Sequence, residues 1–452
     1  MPLPWRDGNA RRPRPEAVLA LLLTINGVAQ IGQLAQHSPA IDYYQFWVVS
    51  QVAGRADVHD VYGDVDRARI GREFQERAFT DDTSALRRAA AQLWPTLTPL
   101  GTPFLYATFH PLVRGAYDDD LRRHRIVSLA ALGLGVLLLG RLLRLSPTTV
   151  LIVLAALTQA FEPLRSDVRV GNVNQLQVGM LAVYLWLGRG PDRSGFQVAA
   201  GTALALAVWF KPNVAAIVPL VLLSAALERR WDRLARQGAG MLGGTLLAVG
   251  TGAFLFGTLR AWRDWLRIVT TLPPEIGQLG AGNFGPARIL YERLGIAASP
   301  YLAVLAMAAA VAVLWRGSRA RGDGAVPPAD AGAGRDVAIV GAGCLVYLLS
   351  APVVWLHYLL LALPAALAVL STSRAGIDGV ASRILAGLAW AAIAVDPAVD
   401  LAGMRDLPQQ ATLAAAGLLL LFVLTLREIA RRPPPSPPIE AATAYNQAPS
   451  TP

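Results

Sequence analysis

The sequence predicts an all-α polytopic integral membrane protein with about twelve transmembrane helices and a long first external loop. Three observations carry this reading. Of 452 residues, 54% are hydrophobic and 16% are charged, whereas soluble domains carry roughly 25% charged residues. Apolar runs of roughly 20 residues, the length that crosses a hydrocarbon core, recur from end to end. These runs do not alternate in polarity as barrel strands do, so they read as helices, which satisfy their backbone groups within each segment. Finally, the arginines concentrate in short loops between the apolar runs, as membrane orientation requires.

The expected segments are centred near Leu23, Leu134, Leu154, Leu181, Leu206, Val221, Leu247, Leu305, Val340, Leu361, Leu388 and Leu418. The arginines before Pro15 precede a full-length apolar segment without a small-residue cleavage site, which reads as an anchor helix. Phe196 to Leu227 is either two short helices broken at Lys211-Pro212-Asn213 or one kinked helix, because proline lacks the N–H donor and clashes with the preceding turn. With the N-terminus in the cytoplasm and a break at Lys211, the cytoplasmic loops hold Arg141 and Arg144, Arg189 and Arg193, Arg229 to Arg236, Arg316 to Arg335, Arg374, and Arg427 to Arg432. That is the positive-inside pattern over nearly every short loop.

Residues 1–432 then form a single transmembrane domain. Within it, 37–125 is a first external loop with interfacial helices, and 316–335, rich in Gly, Ala and Arg, is a flexible cytoplasmic loop. Residues 433–452, rich in Pro, Ala and Ser, read as a disordered cytoplasmic tail. The net charge of +10 comes almost wholly from arginine, and Lys211 is the only lysine. Nucleic-acid binding favours such a balance, but topology accounts for it here and no nucleic-acid partner is expected. The single cysteine, Cys344, excludes a disulfide within the chain.

The polar residues that stand out lie at the external ends of the apolar segments. Asp42 follows the first segment and is succeeded by Tyr43, Tyr44, Phe46 and Trp47, which are interfacial aromatics. A carboxylate partly desolvated there becomes a better general base near neutral pH; taken alone, the residue reads first as a helix N-cap. Arg165, Asp167, Arg169, Asn172, Asn174, Gln175 and Gln177 run into an apolar helix, where such side chains face either a cavity or a partner helix. Lys211 is either a snorkelling lysine or a compact point charge for a phosphate. His357 follows a proline break and is flanked by Trp355 and Tyr358. A lone histidine on an apolar helix is more often packed than catalytic, yet it could donate to a phosphate. Asp64-Val65-Asp66 has the Asp-x-Asp spacing of a metal site, but two acids at a helix start also suit the helix dipole. Asp118 to Asp120 reads as a solvated turn. Gly240 and Gly244 have helix-packing spacing. No P-loop, HExxH, CxxC or GxSxG motif occurs.

In combination these segments resemble glycosyltransferase family 87, membrane mannosyltransferases and related enzymes of the GT-C type. The resemblance rests on Asp42 with Gly54 and Val61-Tyr62-Gly63; on Gly171-Asn172-Val173-Asn174; on Gly201, Lys211-Pro212 and Arg229-Arg230-Trp231; and on Leu349-Ser350 through Pro352, Trp355 and His357. Gly282-Asn283-Phe284 is a weaker match. Where the family often has two adjacent histidines, this chain has His357-Tyr358, and its first external loop is acid-rich and long between Gly63 and Phe104.

The resemblance implies a GT-C fold and transfer of a sugar, with mannose as the family-level expectation, from a polyprenyl-phosphate donor to an acceptor hydroxyl of an envelope glycolipid or glycan. It implies inversion with Asp42 as general base and His357 as a second catalytic residue. Lys211, His357 and Arg169 would meet the donor phosphate with Arg165 behind them, Asn172 and Asn174 would hold sugar hydroxyls or shape the site, and Tyr43, Trp355 and Asn283 would complete the substrate site. No metal or other cofactor is expected, because side-chain cations neutralise a departing phosphate. The partners are the lipid-linked donor, the acceptor and membrane lipids. The arginine- and alanine-rich composition suits a bacterial plasma membrane, with both termini cytoplasmic and the active site external. The competing readings are a transporter or flippase of a lipid-linked sugar and an inactive envelope scaffold.

Overall fold

In the computed structural model, residues 14–80, 84–93, 95–190, 194–271, 277–319, 332–372, 377–395 and 406–431 are described. Most of the expected loop at 316–335, the tail at 433–452, Arg193 and Arg374 lie outside these residues.

Helix α1 (Pro15–His37) starts on a proline, whose missing N–H falls where a helix has no internal partner for it. Leu19 and Leu22 on its face are each 58% exposed, as a lipid-facing surface requires. Four helices follow: α2 (Ile41–Val52), α3 (Asp64–Thr80), α4 (Ser84–Ala91) and α5 (Pro103–Phe109). They pack round their own core of Tyr43, Trp47, Tyr62, Ile70, Phe74 and Tyr106. The described residues of the segment expected as a first external loop therefore form a small helical subassembly. Asp66 accepts from the backbone N–H of His59 and Asp60, both at 2.9 Å, and pairs with Arg69, so the Asp-x-Asp spacing resolves into local structure. Asp120 corrects the expectation of a solvated turn. It is 2% exposed and accepts from the indole N–H of Trp47 and the backbone N–H of Arg114 and Gly115.

The chain then runs through α6 (Tyr117–Leu142), α7 (Pro147–Ala160), α8 (Glu162–Val170) and α9 (Asn174–Leu187). Helices α7 and α8 meet at a 62° bend, where Phe161 leaves the helical region and Pro163 prevents a continuous ladder. Helix α8 ends on Gly171, at φ +69°, the left-handed cap that glycine adopts without a Cβ penalty. Helices α10 (Ser194–Phe210) and α11 (Ile217–Leu227) are separated by extended Lys211 and a 3-10 turn at Pro212–Val214, which resolves the alternative in favour of two short helices. Helix α12 (Trp231–Phe256) packs closely on α10. A Cβ at Gly240 would lie 2.1 Å from the Val198 carbonyl oxygen and one at Gly201 2.1 Å from that of Gln237, so glycine permits this backbone approach.

Beyond it come α13 (Arg260–Thr270), α14 (Pro286–Leu294), α15 (Ser299–Arg319) and α16 (Gly332–Ser350). A 3-10 segment at Leu356–Ala362, α17 (Leu363–Thr372), α18 (Ile377–Ala394) and α19 (Leu407–Ala430) complete the order. Helix α16 is the hub of a second core, packed by α11, α15, α17 and α19. Among the described residues there is no β-strand, only an isolated bridge between Asn283 and Trp355.

The protein is thus a polytopic membrane protein, helical throughout its described residues, and among these six helices are long and apolar enough to cross a membrane, or seven if α7 and α8 form one bent span. All the expected centres fall in helical segments, but α10, α11, Leu356–Ser371 and α18 are shorter apolar helices. Hydropathy alone did not distinguish these from full spans, because the breaks at Phe161, Lys211 and Pro352–Trp355 interrupt apolar runs without interrupting their apolarity. Arg141, Arg189, Arg233, Arg319, Arg335 and Arg427 sit at the helix ends opposite the α2–α5 subassembly. Several are tied together there, with Asp336 pairing to Arg189 and Arg233 and Glu228 pairing to Arg335.

Candidate active site

Three chain breaks converge where the two cores meet. Val173 and Phe210 belong to the core of the α2–α5 subassembly, whereas Val168, Val214 and Val354 belong to the core around α16. The polar residues between them have no continuous helix to bury them, and they turn toward one another.

Asp42 lies in the first turn of α2 and does not cap it; the residue before the helix is Ala40, in the left-handed region at φ 51°. This replaces the N-cap reading. The Asp42 carboxylate instead accepts from the side-chain amide of Asn172 at 2.6 Å. The Asn172 amide oxygen accepts from Lys211 Nζ at 2.7 Å and from the backbone N–H of Val173 at 2.7 Å. A second amide oxygen, that of Asn174, accepts from Lys211 Nζ at 2.9 Å. The ammonium also stands 4.0 Å from the ring centroid of Tyr358, within cation–π range. His357 Nε2 lies 3.7 Å from Asp42 Oδ2, and among the described residues it has no hydrogen-bond partner. Burial pushes the Asp42 carboxyl above the usual carboxylate range, while the Asn172 hydrogen bond and the Lys211 charge pull it back down.

A cavity of about 110 Å³ opens on this cluster, lined by Asp42, Asn172, Lys211, Trp355 and Tyr358. Gln45, Thr98, Gly101, Thr102 and Tyr106 also line it. The sequence reading missed these residues. Gln45 was detectable, since it lies three residues beyond Asp42 on one helix and so shares its face. Residues 98–102 carry no motif, and only tertiary packing brings them in: Thr102 Oγ1 donates to the Trp209 carbonyl at 2.6 Å and accepts from Leu105 N–H at 3.0 Å.

Of the expected site residues, Asp42, Asn172, Lys211, Trp355 and His357 come together, with Asn174 directly beneath Lys211. Others are placed elsewhere. Arg169 is paired with Glu162 at 2.7 Å. Arg165 donates to the Gln159 carbonyl at 2.8 Å and to the Gln30 side chain at 3.3 Å. Neither lines the cavity, because α8 presents its arginines on the face away from Asp167. Tyr43 is buried against His124, with ring centroids 4.8 Å apart. Asn283 is wholly buried and its amide is fully used. It donates to the carbonyls of Gly277 and Pro352 and accepts from the N–H groups of Gly285 and Val354, all within 2.9 Å. Asn283 thus fastens the strand-like segment that carries Trp355 and His357, and does not itself face the cavity. No group of three or more His, Cys, Asp or Glu side chains that could hold a metal ion occurs among the described residues.

A carboxylate and an ammonium on one cavity, with the His357 imidazole behind the carboxylate, can supply a proton acceptor and an anion-binding group without further movement of the backbone. The model of glycosyltransferase family 87 matches residues 100–347, more than half of the chain. The chain therefore belongs to glycosyltransferase family 87, and it is a membrane glycosyltransferase. Comparison with the curated proteins gives no match, and comparison with the solved structures gives none either.

Proposed function

We propose that the protein transfers a sugar, mannose by family expectation, from a polyprenyl-phosphate donor to an acceptor hydroxyl of an envelope glycolipid or glycan, and that it does so at the external face of a bacterial plasma membrane. The observation that carries this reading is the hydrogen-bonded chain Asp42–Asn172–Lys211 on one cavity wall. A carboxylate and a cation a single amide apart support displacement of a phosphate by a hydroxyl, which uses a base and an anion-binding group.

In this reaction the acceptor O–H gives its proton to Asp42, and its oxygen forms a bond to the anomeric carbon. The bond from that carbon to the phosphate oxygen breaks, and its electron pair leaves with the polyprenyl phosphate. Asn172 occupies Oδ2 of Asp42, so Oδ1 is the oxygen we assign to the proton. Lys211 neutralises charge developing on the phosphate, the role of a positioned cation in transition-state stabilisation. Single displacement inverts the anomeric centre. The Nε2 of His357, 3.7 Å from Oδ2 of Asp42 and outside the cavity lining, supports a role in holding that carboxylate in place. The orientation is supported by the arginine-rich helix ends opposite the cavity.

The test uses full-length protein in lipid nanodiscs, radiolabelled polyprenyl-phosphate-mannose and an extract of envelope lipids. The wild type transfers label with inversion. Asp42→Asn loses at least about 100-fold in kcat, the scale of a missing general base, while unfolding at the same temperature. Trapping of a covalent glycosyl-enzyme, or undiminished transfer by Asp42→Asn, would overturn the mechanism. If the wild type transfers no polyprenyl-phosphate sugar at all, the donor assignment fails.

A further inference from the structure

Lys211 is held by two asparagines, and each is itself held by a carboxylate. One arm is Asn172 to Asp42, already assigned. The other runs deeper. Asn174, wholly buried, donates its amide N–H to Asp167 Oδ1 at 2.8 Å and to the His357 carbonyl at 3.2 Å. Its amide oxygen is left facing Lys211 Nζ at 2.9 Å. Asp167 is also wholly buried, and its other oxygen accepts from Gln175 Nε2 at 2.9 Å.

An asparagine side chain can present either its oxygen or its NH₂ to a neighbour, and only the partner at the other end selects between them. We infer that Asp167 is a positioning residue of the glycosyl transfer, acting through Asn174 to hold Lys211 Nζ at the cavity for the donor phosphate. It does not touch the substrate. With its carboxylate in place, Asn174 must turn its NH₂ toward Asp167 and its oxygen toward the ammonium. Two of the three Lys211 N–H groups are then taken by amide oxygens and the third is left for the ligand. Without the carboxylate, only the longer hydrogen bond to the His357 carbonyl holds Asn174 in this orientation, and an NH₂ turned to the ammonium would repel it from the site. The same buried charge offsets that of Lys211, which the low-dielectric surroundings would otherwise penalise.

This inference rests on Lys211 meeting the donor phosphate, and the experiment separates the two. In nanodiscs, with radiolabelled polyprenyl-phosphate-mannose, wild type is compared with Asp167→Asn, Gln175→Met and the reciprocal swap Asp167→Asn/Asn174→Asp. The expected result for Asp167→Asn is a KM for the donor at least about tenfold higher, with a smaller change in kcat. Gln175→Met removes the other hydrogen bond of the same carboxylate. It lowers the unfolding temperature and leaves the donor KM within about twofold.

The swap returns a carboxylate beside Lys211 and an amide at position 167 that can serve both neighbours, and it recovers at least half of the lost donor affinity on a logarithmic scale. A purely structural Asp167 gives equal KM effects for Asp167→Asn and Gln175→Met and no recovery in the swap; either result overturns the inference. If Asp167→Asn does not fold, the swap and Gln175→Met are each compared with wild type: a donor KM within about threefold in both supports the inference, and a donor KM raised about tenfold in both overturns it. A wild type that transfers label while Lys211→Met keeps its donor KM would refute the phosphate role of Lys211 and, with it, the assignment of Asp167.

Discussion

Asp42 shows how a single residue acquires a chemical role from its neighbours. In sequence it is an acid before an aromatic helix; in the fold its carboxylate meets an amide and an imidazole, with an ammonium one amide away. Burial raises its affinity for a proton, and Asn172 and Lys211 oppose that shift. A general base works deprotonated, so activity is present above its pKa and lost as pH falls through it. The acid limb of kcat should therefore have its midpoint above the 3.8 of an ordinary aspartate. Asn172→Ala removes the hydrogen bond that favours the charged form, and the midpoint should move further upward. Initial rates across pH 4–9 in both proteins, with saturating substrates, measure this. A midpoint that moves down in the variant would contradict the role of the amide.

At the scale of elements, the site depends on places where helices stop. The α8–α9 junction must turn within Gly171-Asn172-Val173 so that Asn172 faces Asp42 while Asn174 faces Asp167. Gly171 makes this possible twice over. Its φ of +69° is unfavourable for other residues, and a Cβ there would stand 2.7 Å from Cβ of Tyr43, the neighbour of Asp42. Gly171→Ala should cost on the order of 1–3 kcal/mol from backbone strain alone, and kcat should fall with it because α2 is pushed away from the junction. Thermal unfolding in nanodiscs and the transfer assay read the two effects; an unchanged unfolding temperature and rate would show that the turn adapts freely. The extended backbone at Lys211 is a similar device, since Pro212 ends the helical ladder and the Lys211 carbonyl accepts from Gln177 Nε2 at 2.6 Å.

For the whole molecule, the question is orientation. The α2–α5 subassembly and the cavity lie together, and the arginines of the short inter-helix connections, such as Arg189, Arg233 and Arg335, form a separate cluster. The proposed orientation, by the positive-inside rule, would have the cavity outside. Because Cys344 is the only cysteine and is buried, a Cys344→Ala background permits single-site labelling. Asp64, with a side chain 97% exposed, and Asp232, 91% exposed, mark these two regions. A membrane-impermeant maleimide on intact cells should label Asp64→Cys and spare Asp232→Cys until the membrane is permeabilised. The reverse pattern would place the site in the cytoplasm.

Much of this was legible in sequence. Helices, membrane character, the family and the break at Lys211 follow from local properties: apolar run length, arginine distribution and the backbone chemistry of proline and glycine. Asp42, Asn172, Lys211 and His357 were recognisable because a polar residue in an apolar run demands an explanation. Span length was not, since a 62° bend changes geometry without changing hydropathy. Nor was the division of labour among polar residues. Arg169 and Asp167 lie two positions apart, yet one turns to Glu162 and the other to Asn174 and Gln175. Composition and periodicity determined that polar groups gather at the helix ends. Which of them meet depends on hydrogen bonds between residues more than a hundred positions apart, such as Asp42 and Asn172. Those partnerships were decided only by tertiary structure, because a buried donor or acceptor must find its partner in space, wherever the chain has placed it.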